Sequence, residues 1–264
     1  MGKTIGVVSL KGGVGKTSVV ASLGAALAEF GKKILLIDAN LSAPNLGLHL
    51  NVLEPETTLH HVLNKEANIG DAIYRLDNFD LIPSSLFQRF QINPLKLKDK
   101  IKNLKRKYDI TLIDSSPTLN EETLGAMLAS DELFVVTTPD YATLSTTLKS
   151  IKMARQRGVN INGLILNKVH NKNFELSIDE IEDTIGIPVM AVIPHDINVL
   201  KAQADFSPSV FYKPNSEGSE EFRKLAAALI GEKYSPSIWR DFFRITPKRQ
   251  DINREIFYKR VFKD

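Results

Sequence analysis

A glycine-rich turn with two lysines, "KGGVGKT" at residues 11–17, constrains this chain more than any other stretch. The apolar run "KTIGVVSL" precedes the turn, and the helical pattern "KTSVVASLGAALAEFG" follows it. A strand, a glycine-rich turn and a helix in this order favour phosphate binding, because glycines allow close backbone approach and a helix N-terminus offers free N–H groups. The residues that we expect to bind here are Gly12, Gly13, Val14, Gly15, Lys16, Thr17 and Ser18. Lys16 suits the β- and γ-phosphates, and the Thr17 hydroxyl suits Mg²⁺.

Apolar, β-branched runs alternate with helical patterns along most of the chain, which predicts an α/β fold with a single doubly wound, mostly parallel sheet and helices on both faces. The predicted strands are 3–10, 32–38, 78–84, 108–116, 132–139, 161–169 and 188–194. The predicted helices are 16–31, 93–107, 120–130, 143–158, 176–186 and 216–231. The pattern stops near Tyr234, so we divide the chain into a domain, 1–233, and a C-terminal tail, 234–264.

The composition excludes every kind of site that needs cysteine. The 264 residues include no cysteine, which excludes disulfides, thiolate metal sites and iron–sulfur clusters. Apolar runs stay below the roughly 18 residues that a membrane-spanning helix needs, and no signal peptide precedes the first strand. We therefore expect a cytoplasmic protein.

"KGGVGKT" is similar to the deviant Walker A motif of the MinD/ParA family of P-loop ATPases, and the resemblance covers roughly residues 1–232. It implies an ATPase that binds ATP or ADP with Mg²⁺ and forms a homodimer with ATP at the interface. It also implies that Lys11, the signature lysine of the motif, reaches phosphates bound by the other subunit, as an arginine finger does. The alternative is that Lys11 is a solvated charge beside the loop.

Two further segments resemble the metal-binding parts of this family. "KKILLIDANLSAPNLGLHL" is similar to its second strand and first switch, and "YDITLIDSSP" to its Walker B strand. The resemblance implies that Asp38 and Asp114, both at strand ends, order the Mg²⁺ shell together with Thr17.

The segments "LILNKV" and "VIPHD" resemble the parts of the family that bind the nucleotide base. The resemblance implies that Asn167 contacts the adenine edge, with Pro194, His195 and Asp196 beside the base. As alternatives, Asn167 caps a turn, and His195 is an ordinary turn residue.

The chain departs from the family at Asn40, where an aspartate that positions the attacking water is usual. Asparagine can orient water but carries no charge and accepts no proton, so we expect slow hydrolysis and a long-lived ATP-bound dimer. Asn40 is either a natural residue compensated by another group or an engineered substitution that traps the ATP state.

The tail combines charge with aromatic residues. Residues 234–264 contain eight basic and four acidic residues and seven of the chain's 20 aromatic side chains. The spacing of Trp239, Phe242 and Phe243 is i, i+3, i+4, which would place them on one face of a helix. Ile252 and Ile256 are spaced i, i+4, which has the same effect. Such a segment favours an interfacial membrane helix, as in MinD-type members, and a peripheral location at the inner face of the cell membrane. Packing on the domain or on a second subunit, and binding of another partner such as an activating protein, are the alternatives.

These observations favour an ATP-dependent dimerising switch of MinD type that positions cellular machinery, such as that of cell division. A ParA-like DNA-associated partition ATPase is an alternative. DNA is the less favoured partner, because the net charge is +4 on the tail and −1 on the rest, which is a small positive charge for binding nucleic acid. An ATP-binding module with little or no hydrolysis, and a synthetase-type enzyme on the same scaffold, are further alternatives.

Overall fold

The predicted apolar runs form one sheet in this computed structural model, which describes residues 2–87, 92–234 and 247–262. Within those residues the sheet has eight strands in the order β3-β4-β2-β5-β1-β6-β7-β8. Neighbouring strands are parallel, apart from the antiparallel β3–β4 hairpin at one edge. The strands are β1 (Lys3–Val8), β2 (Ile34–Ala39), β3 (Tyr74–Arg75), β4 (Asp80–Ile82), β5 (Ile110–Ser115), β6 (Glu132–Thr137), β7 (Asn160–Val169) and β8 (Val189–Pro194). The mostly parallel sheet predicted from the sequence is confirmed.

Helices cover both faces of the sheet. In the described ranges they are α1 (Lys16–Glu29), α2 (Leu46–His49), α3 (Leu59–Leu63), α4 (Leu97–Ile101), α5 (Glu121–Ala129), α6 (Tyr141–Gln156), α7 (Ile178–Ile185), α8 (Ile197–Ala204), α9 (Ser209–Tyr212), α10 (Glu217–Ile230) and α11 (Arg249–Phe262). None of these described helices combines the length and the hydropathy that crossing a bilayer requires.

Strand β2 shows why the sheet needs two layers of helices. Ile34 and Leu36 join the apolar cluster that contains α1 and α10, whereas Leu35 and Ile37 join the cluster that contains α4 and α5. Successive side chains of a strand point to opposite faces, so a strand that is apolar at every position must be covered on both sides. The carboxyl ends of the parallel strands then meet at one edge of the sheet, where α/β proteins of this type bind ligands.

The predicted helix 93–107 is the largest difference between sequence and structure. Only Leu97–Ile101 is α-helical, and 3₁₀ turns at Pro94–Lys96 and Lys102–Arg106 flank it. In a 3₁₀ turn, side chains three residues apart are eclipsed, so Leu104 joins Ile101 on the buried side. Leu97 and Ile101 of α4 and Leu104 of the following turn are therefore all buried just before β5 begins.

The last helix, α11, packs against the sheet edge and α10. Phe257 is buried, whereas Ile252 and Ile256 are exposed on the outer side. The side chains of Asn253 and Arg254 donate hydrogen bonds of 2.8 Å and 2.7 Å to the backbone carbonyls of β8, at Val189 and Met190 respectively. These bonds cover part of an edge strand, which would otherwise present unpaired carbonyls. Of the predicted tail features, Trp239, Phe242 and Phe243 lie outside the described residues.

Candidate nucleotide-binding site

The loop after β1 has the shape that phosphate binding requires. Gly13 and Gly15 have φ angles of +78° and +87°, values that side chains with a Cβ rarely adopt. Helix α1 begins directly after the loop, at Lys16, so its free N–H groups face the same space. Successive N–H groups in such a turn converge on an anion.

Two buried carboxylates lie beneath the loop. Asp38 of β2 and Asp114 of β5 are direct partners in the parallel register and are 0% and 1% exposed. Burial, and then the Asp114 carboxylate, raise the pKa of Asp38 to about 8. Burial also raises the pKa of Asp114, although the Lys16 ammonium and the hydrogen bond from Thr17 act against that rise. Two such carboxylates side by side form a site that a divalent cation stabilises.

Lys16 is the basic residue of this cluster. It is 7% exposed, and burial lowers the pKa of its ammonium group, while the charges of Asp114 and Asp38 act in the opposite direction. A buried lysine beside two acids keeps its charge when a bound phosphate adds negative charge nearby. Its position at the first residue of α1 suits the phosphate contact predicted for it.

Thr17 and Asp114 fit the magnesium ion that the family implies. The Thr17 hydroxyl donates a 2.6 Å hydrogen bond to Asp114 Oδ2. The other oxygen, Asp114 Oδ1, is buried and has no hydrogen-bond partner among the described residues. Hydroxyl and carboxylate oxygens are the ligands that Mg²⁺ prefers. Both residues would hold the ion, which would supply positive charge to the phosphates.

Asp38 organises the loop that follows β2, which we call the switch loop and define as residues 40–45. Its carboxylate accepts backbone N–H groups from Asn40 at 3.1 Å, Asn45 at 3.1 Å and Leu46 at 3.0 Å. Its role toward Mg²⁺ stays a prediction. Asn40 is 6% exposed, and its side-chain amide donates to the Ala43 carbonyl. Asn40 Oδ1 is buried without a partner in the described part of the chain.

Ser84 and His60, which were not among the predicted site residues, also hydrogen-bond to the backbone in and just before the switch loop. The Ser84 hydroxyl donates to the Asp38 carbonyl at 2.7 Å. The buried ring of His60 accepts the Ser85 N–H at Nδ1, and its Nε2 lies 3.2 Å from the Leu41 carbonyl. Burial lowers the pKa of His60, so the neutral ring can make both bonds. Side chains from later in the chain thus hold the Leu41 carbonyl of the switch loop and the Asp38 carbonyl just before it.

Lys11 points away from its own phosphate loop. Its Nζ lies 2.5 Å from the Thr143 hydroxyl and 3.4 Å from the Asp140 carboxylate, at the start of α6. Burial works against the ionised form of Asp140, but hydrogen bonds from Thr138 and Thr143 and the Lys11 charge lower its pKa to about 2. Lys11 is therefore paired with an ionised carboxylate, whereas Lys16 is buried at the phosphate loop.

The predicted base-binding residues lie at the other end of the loop. Asn167 Nδ2 donates to the Val14 carbonyl at 2.7 Å, and the next residue, Lys168, donates to the Gly13 carbonyl at 2.7 Å. The His195 ring stacks on His170 at 4.5 Å between centroids. Lys168 was not among the predicted residues, although it stands beside Asn167 in "LNKV".

A cavity of about 410 Å³ joins the phosphate end to the base end. The predicted residues that line it are Gly12, Gly13, Gly15, Lys16, Thr17, Ser18, Asn40, Asn167, Pro194, His195 and Asp196. The predicted residues outside its lining are Lys11, Val14, Asp38 and Asp114. Helix α8, which the sequence did not predict, adds Val199, Leu200 and Gln203. The volume lies in the range of small-molecule sites.

Comparison with known proteins identifies the family. A family model described as an AAA domain matches residues 2–164. The solved structure of the Pyrococcus furiosus cell division ATPase MinD is 38% identical, with a TM-score of 0.81, and the match covers 86% of this chain and 97% of that one. This chain belongs to the MinD/ParA family of P-loop ATPases.

Two other matches bear on what members of the MinD/ParA family bind. The Pyrococcus horikoshii septum site-determining protein MinD, solved as a complex with Mg-ADP, is 36% identical with a TM-score of 0.82, and covers 87% of this chain and 96% of its own. An uncharacterised ATP-binding protein of Methanocaldococcus jannaschii is 36% identical over 241 residues, 90% of this chain and 91% of its own.

A second family model, of 4Fe-4S iron sulfur cluster binding proteins of the NifH/frxC family, matches residues 125–241. This MinD/ParA-family chain has no cysteine with which to hold such a cluster. The match therefore agrees with a shared fold and supplies no cluster site.

Proposed function

We propose that this protein is an ATP-dependent dimerising switch of MinD type. It binds Mg·ATP in the cavity between the phosphate loop and β8, dimerises with ATP at the interface, and returns to the monomer after slow hydrolysis. The observation that carries the proposal is the separation of the two loop lysines. Lys16 is buried beside Asp38 and Asp114, whereas Lys11 is turned outward to Asp140 and Thr143.

An outward lysine in a phosphate loop suits phosphate on another subunit. The Lys11 side chain is 39% exposed, so it can leave its partners without opening the core. A positive charge that reaches transferring phosphate only in the dimer links catalysis to assembly, as a trans-acting arginine finger does. The nucleotide state then controls the assembly state.

Slow turnover follows from Asn40 in this proposal. The site offers an amide where a carboxylate would supply a proton acceptor, and that amide is tied to the Ala43 carbonyl. Asn40 therefore orients water at most, and the rate of hydrolysis falls relative to a site with general-base assistance. A slow ATPase keeps the dimer assembled for longer, and an activating protein partner would then set when it resets.

Attachment to a surface is the second half of the proposal. A dimer carries two copies of the tail, and two weak attachments act together with far greater avidity than one. Because α11 is docked on β8 through Asn253 and Arg254, the attachment would use residues 235–246 and the exposed face with Ile252 and Ile256. The protein is then cytoplasmic as a monomer and peripheral at the inner membrane face as a dimer.

The size of the protein in solution tests the dimer. We expect light scattering after gel filtration to give a monomer with ADP and a dimer with Mg·ATP. Lys11→Ala should bind ADP normally and stay monomeric with ATP, whereas Lys152→Ala, an exposed lysine of α6, should dimerise normally. A wild-type protein that binds ATP and stays monomeric at all concentrations would overturn the proposal.

Co-sedimentation with anionic vesicles tests the attachment. Wild-type protein should sediment with phosphatidylglycerol vesicles in ATP and remain in the supernatant in ADP. Ile252→Ser combined with Ile256→Ser, which changes exposed residues and keeps the buried Arg254–Glu221 pair, should abolish sedimentation. Equal sedimentation of both proteins would contradict attachment through the tail.

An ATP-binding module without turnover is the second candidate function, and the uncharged Asn40, whose side-chain amide is held by the Ala43 carbonyl, favours it. The two functions differ in one measurement. Release of phosphate in a single turnover, with vesicles present, supports the switch ATPase, whereas bound ATP that stays intact supports the module.

A further inference from the structure

Consecutive residues at the end of β7 bind consecutive carbonyls of the phosphate loop. Asn167 Nδ2 donates to the Val14 carbonyl and Lys168 Nζ to the Gly13 carbonyl, each at 2.7 Å. These residues stand more than 150 positions away from the loop along the chain, so the contacts are made only in the folded protein. The family resemblance assigns adenine to Asn167, and it assigns nothing to Lys168.

An unusual backbone angle makes the double contact geometrically feasible. Successive side chains of a regular strand point to opposite faces, so Asn167 and Lys168 would not reach the same loop. Lys168, however, has a φ of +58°, and the pairing of β7 with β8 shifts register between Leu166 and Val169. The left-handed conformation interrupts the alternation, and both side chains turn toward the phosphate loop.

The two bonds fix where the loop N–H groups point. A peptide unit is planar and trans, so its C=O and N–H point in opposite directions. When Lys168 holds the Gly13 carbonyl, the Val14 N–H points away from Lys168. When Asn167 holds the Val14 carbonyl, the Gly15 N–H points away from Asn167 in the same way. Only glycine at position 15 permits this, since a Cβ there would collide with the Asn167 amide.

We propose that Lys168 is a positioning residue for the phosphate loop: with Asn167 it holds the Gly13 and Val14 carbonyls outward, so that two N–H donors face the phosphates before nucleotide binds. The inference rests on the proposed nucleotide-binding function. Donors that are already oriented lose little conformational freedom when the ligand arrives, which is the main way in which rigid sites gain affinity.

The strained backbone of Lys168 provides a direct experiment. Lys168→Gly relieves the cost of a positive φ and removes the ammonium, whereas Lys168→Met keeps the cost and removes the ammonium. Lys168→Arg keeps a charged donor. Lys172→Met is the matched control, because it removes an exposed lysine from the following loop, where the described hydrogen bond of Lys172 uses its backbone N–H.

Dissociation constants of ADP, ATP and adenosine should be measured by calorimetry for each full-length variant. We expect Lys168→Met and Lys168→Gly to bind ADP and ATP about tenfold more weakly, the factor for one charge-assisted hydrogen bond. Adenosine has no phosphate, so its affinity should change by less than about twofold. Lys168→Arg should stay within about threefold of wild type for ADP.

The outcomes separate this inference from the function on which it rests. A wild-type protein that binds no ADP contradicts the proposed function. A wild-type protein that binds ADP, with Lys168→Gly binding equally well, overturns the positioning role, as does an equal loss for Lys172→Met. A loss for ATP alone also overturns it, because the clamped N–H groups belong to the part of the loop that holds the α- and β-phosphates.

Discussion

The ammonium group of Lys11 lies 2.5 Å from the hydroxyl oxygen of Thr143, in the first turn of α6 and outside the loop to which Lys11 belongs. The same ammonium is 3.4 Å from Asp140, the residue that caps α6 by accepting the Thr143 N–H at 2.8 Å. Dimerisation through Lys11 therefore requires that it leave this pair first. In the proposed dimer, the strength of the pair would set part of the free energy of dimerisation.

We expect Asp140→Asn to strengthen ATP-dependent dimerisation. Asparagine can still accept the Thr143 N–H, so the cap of α6 is kept, but the charge that holds Lys11 is lost. A half-exposed ion pair contributes about 0.2–1 kcal/mol and a dimer contains two, so the dissociation constant of the dimer should fall by about two- to thirtyfold. Sedimentation velocity with Mg·ATP measures it.

The control for this change is Glu255→Gln, which removes an exposed ion pair with Lys259 on α11. It should leave the dimer unchanged if dimerisation uses the phosphate-loop side. Equal dimer affinities for Asp140→Asn and Glu255→Gln would show that the Asp140 pair does not restrain Lys11.

We expect Asn40→Asp to accelerate hydrolysis. The aspartate has no amide hydrogen for the Ala43 carbonyl, so its carboxylate is repelled from that carbonyl and is free to approach water in the cavity. A positioned general base contributes about a hundredfold or more, so we expect the rate to rise by about that factor. Single-turnover release of phosphate from excess protein measures the rate.

Asn40→Ala separates orientation from charge in the same assay. It should be slower than wild type if the amide orients water, and Asn40→Asp should be the fastest of the three. Equal rates for wild type and Asn40→Asp would show that another group already supplies the proton acceptor.

Binding of Mg²⁺ is expected to strengthen as pH rises. Burial, and then the Asp114 charge, raise the pKa of Asp38 to about 8, and burial raises the pKa of Asp114, so both carry protons at neutral pH more often than ordinary carboxyls. A metal binds the deprotonated form and releases those protons. The gain in ADP affinity on adding Mg²⁺ should therefore grow between about pH 6 and about pH 8.5, as pH passes through the raised pKa values.

Calorimetry in two buffers of different ionisation enthalpy counts the released protons directly. ADP binding in EDTA is the control and should depend on pH much less. Asp114→Asn should weaken the Mg²⁺ contribution at every pH. A Mg²⁺ contribution that is constant from acid to alkaline pH would contradict proton release from the two carboxyls.

Much of this site was predictable from the sequence. The order of strand, glycine-rich turn and helix placed the phosphate loop, and the alternation of apolar runs placed Asp38 and Asp114 at the same edge of a parallel sheet. Both inferences use local pattern and the fixed geometry of parallel strands, so they need no knowledge of distant contacts.

The missed residues depend on contacts between distant parts of the chain. Lys168 reaches Gly13 because of a positive φ that no local sequence pattern predicts. His60 contacts the Leu41 carbonyl through Nε2 while its Nδ1 accepts the Ser85 N–H, so its position depends on two other segments of the chain. Helix α8 was missed because Ile197 and Leu200 are exposed, so its apolar residues do not mark a buried face.

The tail shows the limit of apolar patterning most clearly. The spacing of Ile252 and Ile256 predicted a helix with an apolar face but not which face packs on the domain; both side chains are exposed, and the polar residues Asn253 and Arg254 face the domain. The orientation follows from the partners that β8 and α10 offer. Unpaired strand carbonyls and the buried Glu221 attract hydrogen-bond donors rather than aliphatic groups.

We expect Arg254→Met to destabilise the protein strongly. Arg254 is 3.0 Å from Glu221, and the two side chains are 7% and 3% exposed, so the variant leaves a buried carboxylate without its charged partner. Removal of one member of a buried pair costs about 3–5 kcal/mol of the free energy of unfolding. Urea unfolding followed by circular dichroism measures the change.

Two further variants decide whether the unpaired charge is the cause. Arg254→Met combined with Glu221→Leu removes both charges and should recover most of the loss, because an apolar pair of similar volume often replaces a buried ion pair without cost. Lys259→Met breaks only the exposed pair with Glu255 at 3.5 Å, so its cost should stay below about 0.5 kcal/mol. A double variant as unstable as Arg254→Met would instead assign the loss to the other two partners of Arg254, the Met190 carbonyl at the edge of β8 and the Asp251 carboxylate.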